Sequence, residues 1–91
     1  MSSKSTCILD DYIITDKVIG NCEHGRILII LSRKDRSPYA LKPYKQTLES
    51  KREIEIHQHA CKVSRHVVKI YSVYNDFRLY KVPYYLVVQE L

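Results

Sequence analysis

The sequence predicts an α+β domain in which a five-stranded antiparallel sheet carries one helix. Five segments are rich in β-branched and aromatic residues, and one segment with helical spacing of its apolar and charged residues separates the third from the fourth. Short connections favour antiparallel pairing, and a length of 91 residues allows one small domain. The predicted strands are residues 12–20, 26–34, 39–44, 66–76 and 84–91, and the predicted helix is residues 48–63.

The connections are predicted from their turn-forming residues. The loop between the first two strands contains both glycines of the chain, Gly20 and Gly25, and taken alone it is typical of a hairpin turn. Residues 34–38 (KDRSP) predict the next turn, and residues 77–83 (FRLYKVP) predict the last connection. Because Pro43 cannot donate a hydrogen bond to a neighbouring strand, we expect it to mark the end of the third strand.

The helix has two alternative starting points in the sequence. Thr47 fits an N-cap with Glu49 in the first turn. Ser50 and Glu53 instead fit a capping box, which would start the helix three residues later. The residues alone leave both alternatives open.

An apolar stripe predicts which face of the helix is buried. Ile56, Ala60 and Val63 recur at helical spacing, and Glu53 lies three residues before Ile56 on the same face. We therefore expect Glu53 to face the sheet. A buried carboxylate is costly unless it is paired, so Glu53 requires a partner.

Composition argues against several classes of protein. No apolar run approaches the roughly 20 residues of a transmembrane helix, and the N-terminal MSSKSTCILDD lacks the apolar core of a signal peptide. Three widely spaced cysteines do not indicate a disulfide framework. We therefore expect an intracellular protein of the cytoplasm or nucleus, without a membrane partner. The net charge is +5, and the lysines and arginines are spread along the whole chain. A solvated surface is enough to explain this distribution.

Three features of the chain combine into one candidate site. The loop Gly20-x-Cys22-x-x-Gly25 provides backbone N–H groups that phosphate oxygens can approach where no Cβ intervenes. Lys42, at the end of the YALK segment, is a point cation in the third strand. Glu53, on the following helix, is a carboxylate that is expected to face the sheet. Together and in this order, the three features are much stronger evidence for a phosphate-binding site than any one of them is alone.

This ordered set resembles the N-terminal lobe of a protein kinase. The stretches ILDDYIITDKVIG, YALK, KREIEIHQHA, HVVKIYSVYND and YLVVQEL narrow the resemblance to the MAP-kinase-activated protein kinases, within the calmodulin-dependent kinase group. Glu53 follows Lys42 by 11 residues, a short separation for kinases that is similar in this subfamily. The resemblance covers nearly the whole chain, from about Ile8 to Leu91. It favours the helix start near Thr47.

The resemblance implies an ATP site and the role of each residue in it. The glycine loop would cover the phosphates, Lys42 would bind the α- and β-phosphates, and Glu53 would hold Lys42; these two are the implied catalytic residues. Gln89 would be the gatekeeper, followed by the start of the hinge that binds adenine. The ATP-binding residues implied in this way are Val18, Ile19, Gly20, Asn21, Cys22, Glu23, His24, Gly25, Arg26, Ile27, Ala40, Lys42, Gln89, Glu90 and Leu91; among them Val18, Ile27 and Ala40 would enclose the adenine.

Four positions depart from the family pattern. Cys22 replaces the middle glycine, so the loop is expected to be stiffer. Ile27 replaces a valine, which is a conservative change. Pro43 directly follows the lysine, and Gln89 is polar where this subfamily usually has an apolar residue. None of these changes removes a charged contact.

The resemblance also implies how the chain is organised. Residues 1–11 would be an N-terminal extension and residues 12–91 a partial kinase domain that ends at the hinge. The sequence contains no His-Arg-Asp catalytic loop, no Asp-Phe-Gly site for Mg²⁺ and no activation segment, so we expect no catalysis by this polypeptide alone. A complete parent would transfer a phosphoryl group from ATP to protein serine or threonine. Its partners would be a helical C-terminal lobe, a protein substrate and an upstream stress-activated MAP kinase.

Two other functions stay open at this stage. A truncated, non-catalytic kinase-like chain would act through binding, on the surface meant for a second lobe. A nucleic-acid-binding sheet would account for the pI near 9.2 and the eight tyrosines. However, an RNP-type aromatic motif and a second helix are not predicted, and most tyrosines fall at core-like strand positions, where packing is expected.

Two further groups of residues invite a chemical interpretation that we do not favour. His57 and Cys61 share a helix face but His59 does not, so no metal site is predicted. Cys22 lies in a loop whose amides would lower a thiol pKa, yet the simpler interpretation is a tolerated small residue.

Overall fold

A computed structural model describes residues 7–91, and this part of the chain contains two helices and five strands. In chain order they are α1 (Ile8–Asp11), β1 (Tyr12–Cys22), β2 (Gly25–Ser32), β3 (Pro38–Lys45), α2 (Leu48–Val63), β4 (Ile70–Leu79) and β5 (Val82–Gln89). The strands form one antiparallel sheet in the order β1-β2-β3-β5-β4. The predicted α+β class, with a five-stranded antiparallel sheet and one main helix, is confirmed.

Each face of the sheet is covered by a different helix. On the face that we call the α1 face, Ile8 of α1 completes a buried cluster whose other members are Ile30, Leu41, Tyr74, Leu86 and Val88. On the opposite face, the α2 face, Ile54 of α2 packs against Tyr44 and Val87. Because side chains alternate along a strand, β3 and β5 contribute to both clusters.

The short helix α1 was not predicted from the sequence. It is held by Arg33, whose Nε donates to the Leu9 carbonyl at 2.7 Å and whose backbone N–H donates to the Asp11 carbonyl at 3.0 Å. The Tyr74 hydroxyl donates to Asp11 Oδ2 at 2.7 Å. Burial and this hydrogen bond raise the pKa of Tyr74 well above its usual value. Residues 1–6 of the predicted N-terminal extension lie outside the described residues.

The tyrosines of the α1 face pack edge to face, as expected. The ring centroids of Tyr12 and Tyr39 are 5.7 Å apart, and those of Tyr12 and Tyr74 are 6.4 Å apart, with interplanar angles near a right angle. This geometry matches the attraction between ring edges and faces. Two tyrosines are exposed: Tyr80 is 92% exposed and Tyr71 is 46% exposed.

The last two strands differ from their predicted bounds. β4 begins at Ile70 rather than at residue 66, and the predicted connection over 77–83 is wrong. β4 and β5 instead continue into a two-residue turn formed by Tyr80 and Lys81, whose φ angles are 50° and 70°. Asparagine and glycine usually occupy such a turn, so Tyr80 and Lys81 did not indicate a turn in the sequence.

The expectation that Pro43 ends the third strand is also wrong. β3 continues to Lys45, and Pro43 pairs with Leu86 of β5. The pairing of β2 with β3 extends from Leu28 opposite Leu41 to Leu31 opposite Pro38, so it stops short of Pro43. The Pro43 carbonyl accepts a hydrogen bond from Cys22 Sγ at 3.6 Å, so this edge faces the β1–β2 hairpin. A proline there removes no hydrogen bond from a strand ladder.

Helix α2 has the predicted bounds, Leu48–Val63, and Thr47 directly precedes it. The Thr47 side chain accepts a hydrogen bond from the Ser50 backbone N–H at 3.0 Å, and the two hydroxyls are 3.1 Å apart. Thr47 is therefore the N-cap. The alternative capping box between Ser50 and Glu53 is wrong, because Ser50 already lies inside the helix.

The predicted buried stripe of α2 is wrong at two of its three positions. Ile56 and Val63 are 69% and 70% exposed, whereas Ala60 is half-buried. The helix instead buries Ser50 and Ile54 and half-buries His57 and Cys61. Those positions also follow helical spacing, but three of them are polar or small, so a pattern based on hydrophobicity missed them.

Within residues 7–91, no helix is long and apolar enough to cross a membrane.

We expect Thr47→Ala to lower the free energy of unfolding by about 1 kcal/mol, because it leaves an N-terminal helix N–H without its partner. Thr47→Ser keeps the oxygen and should retain most of the stability. Urea denaturation followed by far-UV circular dichroism measures both. An equal loss in the two variants would show that the methyl group, rather than the cap, is what matters.

Candidate functional site

The loop with both glycines is the β1–β2 hairpin. Cys22 pairs with Gly25, and Glu23 and His24 form the two-residue turn between them. Gly25 has a φ of 149°, a backbone conformation that side chains disfavour, and a Cβ there would lie 3.3 Å from Pro43 Cγ. Gly20 lies within β1, where a Cβ would meet only Ile27 Cδ1, at 3.8 Å. The glycines thus differ: one is required by the turn and the other is not.

A β-bulge decides which residues of β1 share the face of Ile27. The register places Val18 opposite Leu28 and Gly20 opposite Ile27, so Ile19 is the additional residue. Ile19 and Gly20 are therefore both set against Ile27, whereas Val18 aligns with a residue of the α1 face. The sequence pattern carried no sign of this bulge.

The central residues of the candidate site share the α2 face. Ala40 pairs with Ile29 on one side and with Gln89 on the other, and Lys42 pairs with Val87. Since paired residues share a face, Ile27, Ala40, Lys42 and Gln89 line one surface of the sheet. Ala40 is buried, and Lys42, Ile27 and Gln89 are half-buried.

The strongest favourable partner of Lys42 is Tyr44. The lysine Nζ lies 5.2 Å from the centroid of the Tyr44 ring. Burial, the largest single influence, lowers the Lys42 pKa, but the hydrogen-bonding and charge interactions with Tyr44, then the charges of Cys22 and Glu53, outweigh it, so the pKa is raised. The lysine is therefore a firmly charged cation in a partly desolvated place.

Glu53 lies nearer to the hairpin turn than the sequence suggested. Its side chain is exposed, so the expected burial of its carboxylate against the sheet is wrong. It lines a polar cavity of about 240 Å³ between the hairpin turn and the start of α2. The other residues that line this cavity are Glu23, His24, Thr47, Glu49 and Ser50. The ion pair between Lys42 and Glu53 stays a prediction.

The end of β5 carries the predicted gatekeeper and hinge residues. The Gln89 Oε1 atom is buried without a hydrogen-bond partner. The Glu90 backbone N–H donates to the Lys69 carbonyl at 2.8 Å, and Glu90 Oε1 accepts from the Lys69 N–H at 3.3 Å. Leu91 is exposed. The reciprocal bonds fix the backbone just beyond Gln89, and no sequence motif signalled them.

Some of the predicted site residues do not lie on the α2 face with the others. Asn21 and Arg26 pair across the hairpin. Arg26 lines a different, apolar groove of about 350 Å³ on the α1 face, together with Leu28, Leu41 and Phe77 among others. The structure therefore brings together Ile19, Gly20, Ile27, Ala40, Lys42 and Gln89 on one face, with Cys22, Glu23, His24 and Glu53 beside them at the hairpin tip.

One residue of this face suits the phosphates of a nucleotide. Lys42 supplies a positive charge for phosphate oxygens, and Ala40 lies buried beside it. Among residues 7–91 there is no cluster of three or more metal-ligating side chains.

The sheet order, the helix after the third strand and the lysine beneath a glycine hairpin define this domain as an N-terminal lobe of the protein-kinase type. Curated relatives make the class more specific. Over 73 residues, 80% of this chain, it is 36% identical to MAP kinase-activated protein kinase 2 of Oryctolagus cuniculus and 33% identical to that of Homo sapiens. The protein of Drosophila melanogaster is 32% identical over the same length. In sequence, the chain is therefore similar to the MAP kinase-activated protein kinases.

The match covers only part of those relatives. The chain spans 20% of the rabbit and Drosophila proteins and 18% of the human protein, about a fifth of their length. No protein-family model matches the chain.

Proposed function

We propose that this chain is the ATP-binding lobe of a serine/threonine protein kinase of the MAP-kinase-activated type. The observation that carries the proposal is Lys42, a half-buried charged lysine beside Ala40 on the sheet face that adjoins the glycine hairpin. The similarity to MAP kinase-activated protein kinase 2 supports it. Because the chain spans about a fifth of those proteins, phosphoryl transfer itself would belong to a longer protein.

Each residue of the face has a role in this proposal. ATP supplies the phosphoryl group that a complete kinase transfers to a serine or threonine hydroxyl. Backbone N–H groups of the hairpin would contact phosphate oxygens, Lys42 would bind the α- and β-phosphates, and Glu53 would orient Lys42. Ile19, Ile27 and Ala40 would enclose the adenine; Gln89 would be the gatekeeper, and Glu90 and Leu91 would begin the hinge.

The remaining partners follow from the class of protein. Mg²⁺ would accompany ATP, held by ligands outside residues 7–91. A C-terminal lobe, a protein substrate and an upstream stress-activated MAP kinase are the macromolecular partners that we propose for the longer protein. We propose an intracellular location, cytoplasmic or nuclear, for it.

Nucleotide titration of the full 91-residue chain tests the proposal. ATP with Mg²⁺ is added to ¹⁵N-labelled protein, and chemical-shift changes are followed by NMR, which detects weak binding. We expect saturable shifts confined to the hairpin and to the strands around Ala40 and Gln89. Lys42→Ala should weaken binding about tenfold, because it removes a charge-assisted contact to phosphate. Lys45→Ala, an exposed lysine on the same strand, is the matched control and should change affinity less than about twofold.

The controls separate specific binding from general attraction between a basic protein and an anion. Equal weakening by Lys42→Ala and Lys45→Ala, or shifts that vanish at moderate salt in all variants, would indicate non-specific electrostatics and contradict the proposal. Unchanged affinity in Lys42→Ala would contradict it directly.

A further inference from the structure

Tyr44 lies next to Lys42 on the α2 face, two residues further along β3. Its side chain is only 3% exposed and packs in one cluster with Ile54 of α2 and Val87 of β5. The centroid of its ring is 5.6 Å from that of His24, in the hairpin turn. Tyr44 therefore contacts the hairpin, the lysine and the helix at the same time.

We propose that Tyr44 is a positioning residue for Lys42, which holds the lysine ammonium beneath the hairpin turn through its ring and its hydroxyl. The proposal rests on the proposed function only in that Lys42 is taken as the phosphate-binding cation. The general kinase arrangement assigns the holding of this lysine to the helix glutamate, here Glu53. Tyr44 would be a second partner, built into the core.

The two candidate partners of Lys42 differ in how strongly they attract its charge. A cation beside an aromatic ring is attracted by the ring electrons, and more strongly where water is excluded. Tyr44 is buried, so its interaction with Lys42 is poorly screened, whereas Glu53 is exposed and its charge is screened by solvent. The Lys42 pKa agrees: burial, the largest influence, lowers it, and the hydrogen bond with Tyr44 is the largest influence that raises it.

The two partners also differ in how firmly they are held. Tyr44 is fixed between β3, β5 and α2, and its ring has no room to leave. Glu53 lies on an exposed part of the helix surface, at the edge of the polar cavity beneath the hairpin. Tyr44 is therefore the partner of Lys42 that the packing of the core keeps in place.

Site-resolved acylation tests this inference without any nucleotide. An amine-reactive ester modifies only neutral lysine, and mass spectrometry measures the rate at each lysine as a function of pH. In Tyr44→Phe the ring remains but the hydroxyl is lost, while burial still disfavours the charge. We expect Lys42 to react at least about threefold faster at pH 8, with its pH profile moved to lower pH. Lys45, on the same strand, should react at an unchanged rate and serves as the internal control.

Two further variants complete the test. Tyr85→Phe removes a hydroxyl from a half-buried tyrosine that packs against the same cluster, and it should leave the Lys42 profile in place. Glu53→Gln should move the profile less than Tyr44→Phe does. An unmoved profile in Tyr44→Phe, an equal change in Tyr85→Phe, or a larger change in Glu53→Gln would each overturn the inference. Thermal unfolding of each variant identifies any variant that is not folded. The acylation profiles of the variants are then compared below the unfolding transition. Failure of the ATP titration would leave these acylation results untouched, so the two proposals fail separately.

Discussion

Replacing Ile30 by alanine is expected to lower the free energy of unfolding by about 2–5 kcal/mol. Ile30 is fully buried, with 0% exposure, at the centre of the cluster on the α1 face. Removing three carbons there leaves a cavity that neighbouring strands cannot close without moving. Urea or guanidinium denaturation, monitored by far-UV circular dichroism, measures the change. A domain of this size has little stability to spare, so the variant should be largely unfolded at 37 °C.

The matched control is Ile56→Ala, which makes the same chemical change on the exposed surface of α2. The sequence pattern predicts Ile56 as a core residue, and the structure exposes it. We expect its effect to lie within about 0.5 kcal/mol of zero, because lost contacts are few and alanine favours a helix. Comparable losses at both positions would mean that α2 buries the face predicted from the sequence after all.

Gly25→Ala is expected to destabilise the domain by about 1–3 kcal/mol. The φ of 149° is unfavourable for alanine, and the new Cβ would press against the Pro43 ring at 3.3 Å. Pro43 is in turn fixed in β3 opposite Leu86, so it cannot yield easily. The same denaturation experiment measures the loss, and NMR shifts should place the disturbance in the hairpin and around Pro43.

Gly20→Ala is the control for that substitution. It adds the same methyl group to the other glycine of the loop, where the nearest heavy atom is a flexible isoleucine tip at 3.8 Å. We expect a change within about 0.5 kcal/mol, of either sign, because the reduced freedom of the unfolded chain offsets small adjustments. If Gly20→Ala were the more damaging of the two, the pairing of Gly20 with Ile27 and of Cys22 with Gly25 would be wrong.

Much of the fold was predictable because it depends on local patterns. The first three strands, the helix bounds and the antiparallel pairing follow from residue types that each element favours. The failures have particular causes. Tyr80 and Lys81 occupy a turn that their side chains do not favour, and Pro43 continues a strand because its nitrogen lies on a side where no ladder requires a donor. The face that α2 buries includes a serine, a histidine and a cysteine, which hydrophobic periodicity does not count.

The candidate site was predictable in its members but not in its geometry. Lys42, Ala40 and the glycine loop could be found by order and spacing. The bulge that sets Ile19 rather than Val18 against Ile27 depends on strand register, which a motif does not reveal. Tyr44 was not singled out either, since a tyrosine two residues after the lysine is an ordinary core residue until its ring is placed beside Nζ.

The hydrogen bond between Tyr74 and Asp11 has a consequence for the order of assembly. The two residues are 63 positions apart in the chain, and β4 is the edge strand that carries the tyrosine. As the polypeptide leaves the ribosome, α1 emerges early but its hydroxyl donor emerges only after nearly all of the sheet has been made. Contacts of such long sequence separation form late and slow folding. The hydrogen bond that joins the first helix to β4 is thus completed only after most of the sheet has been made.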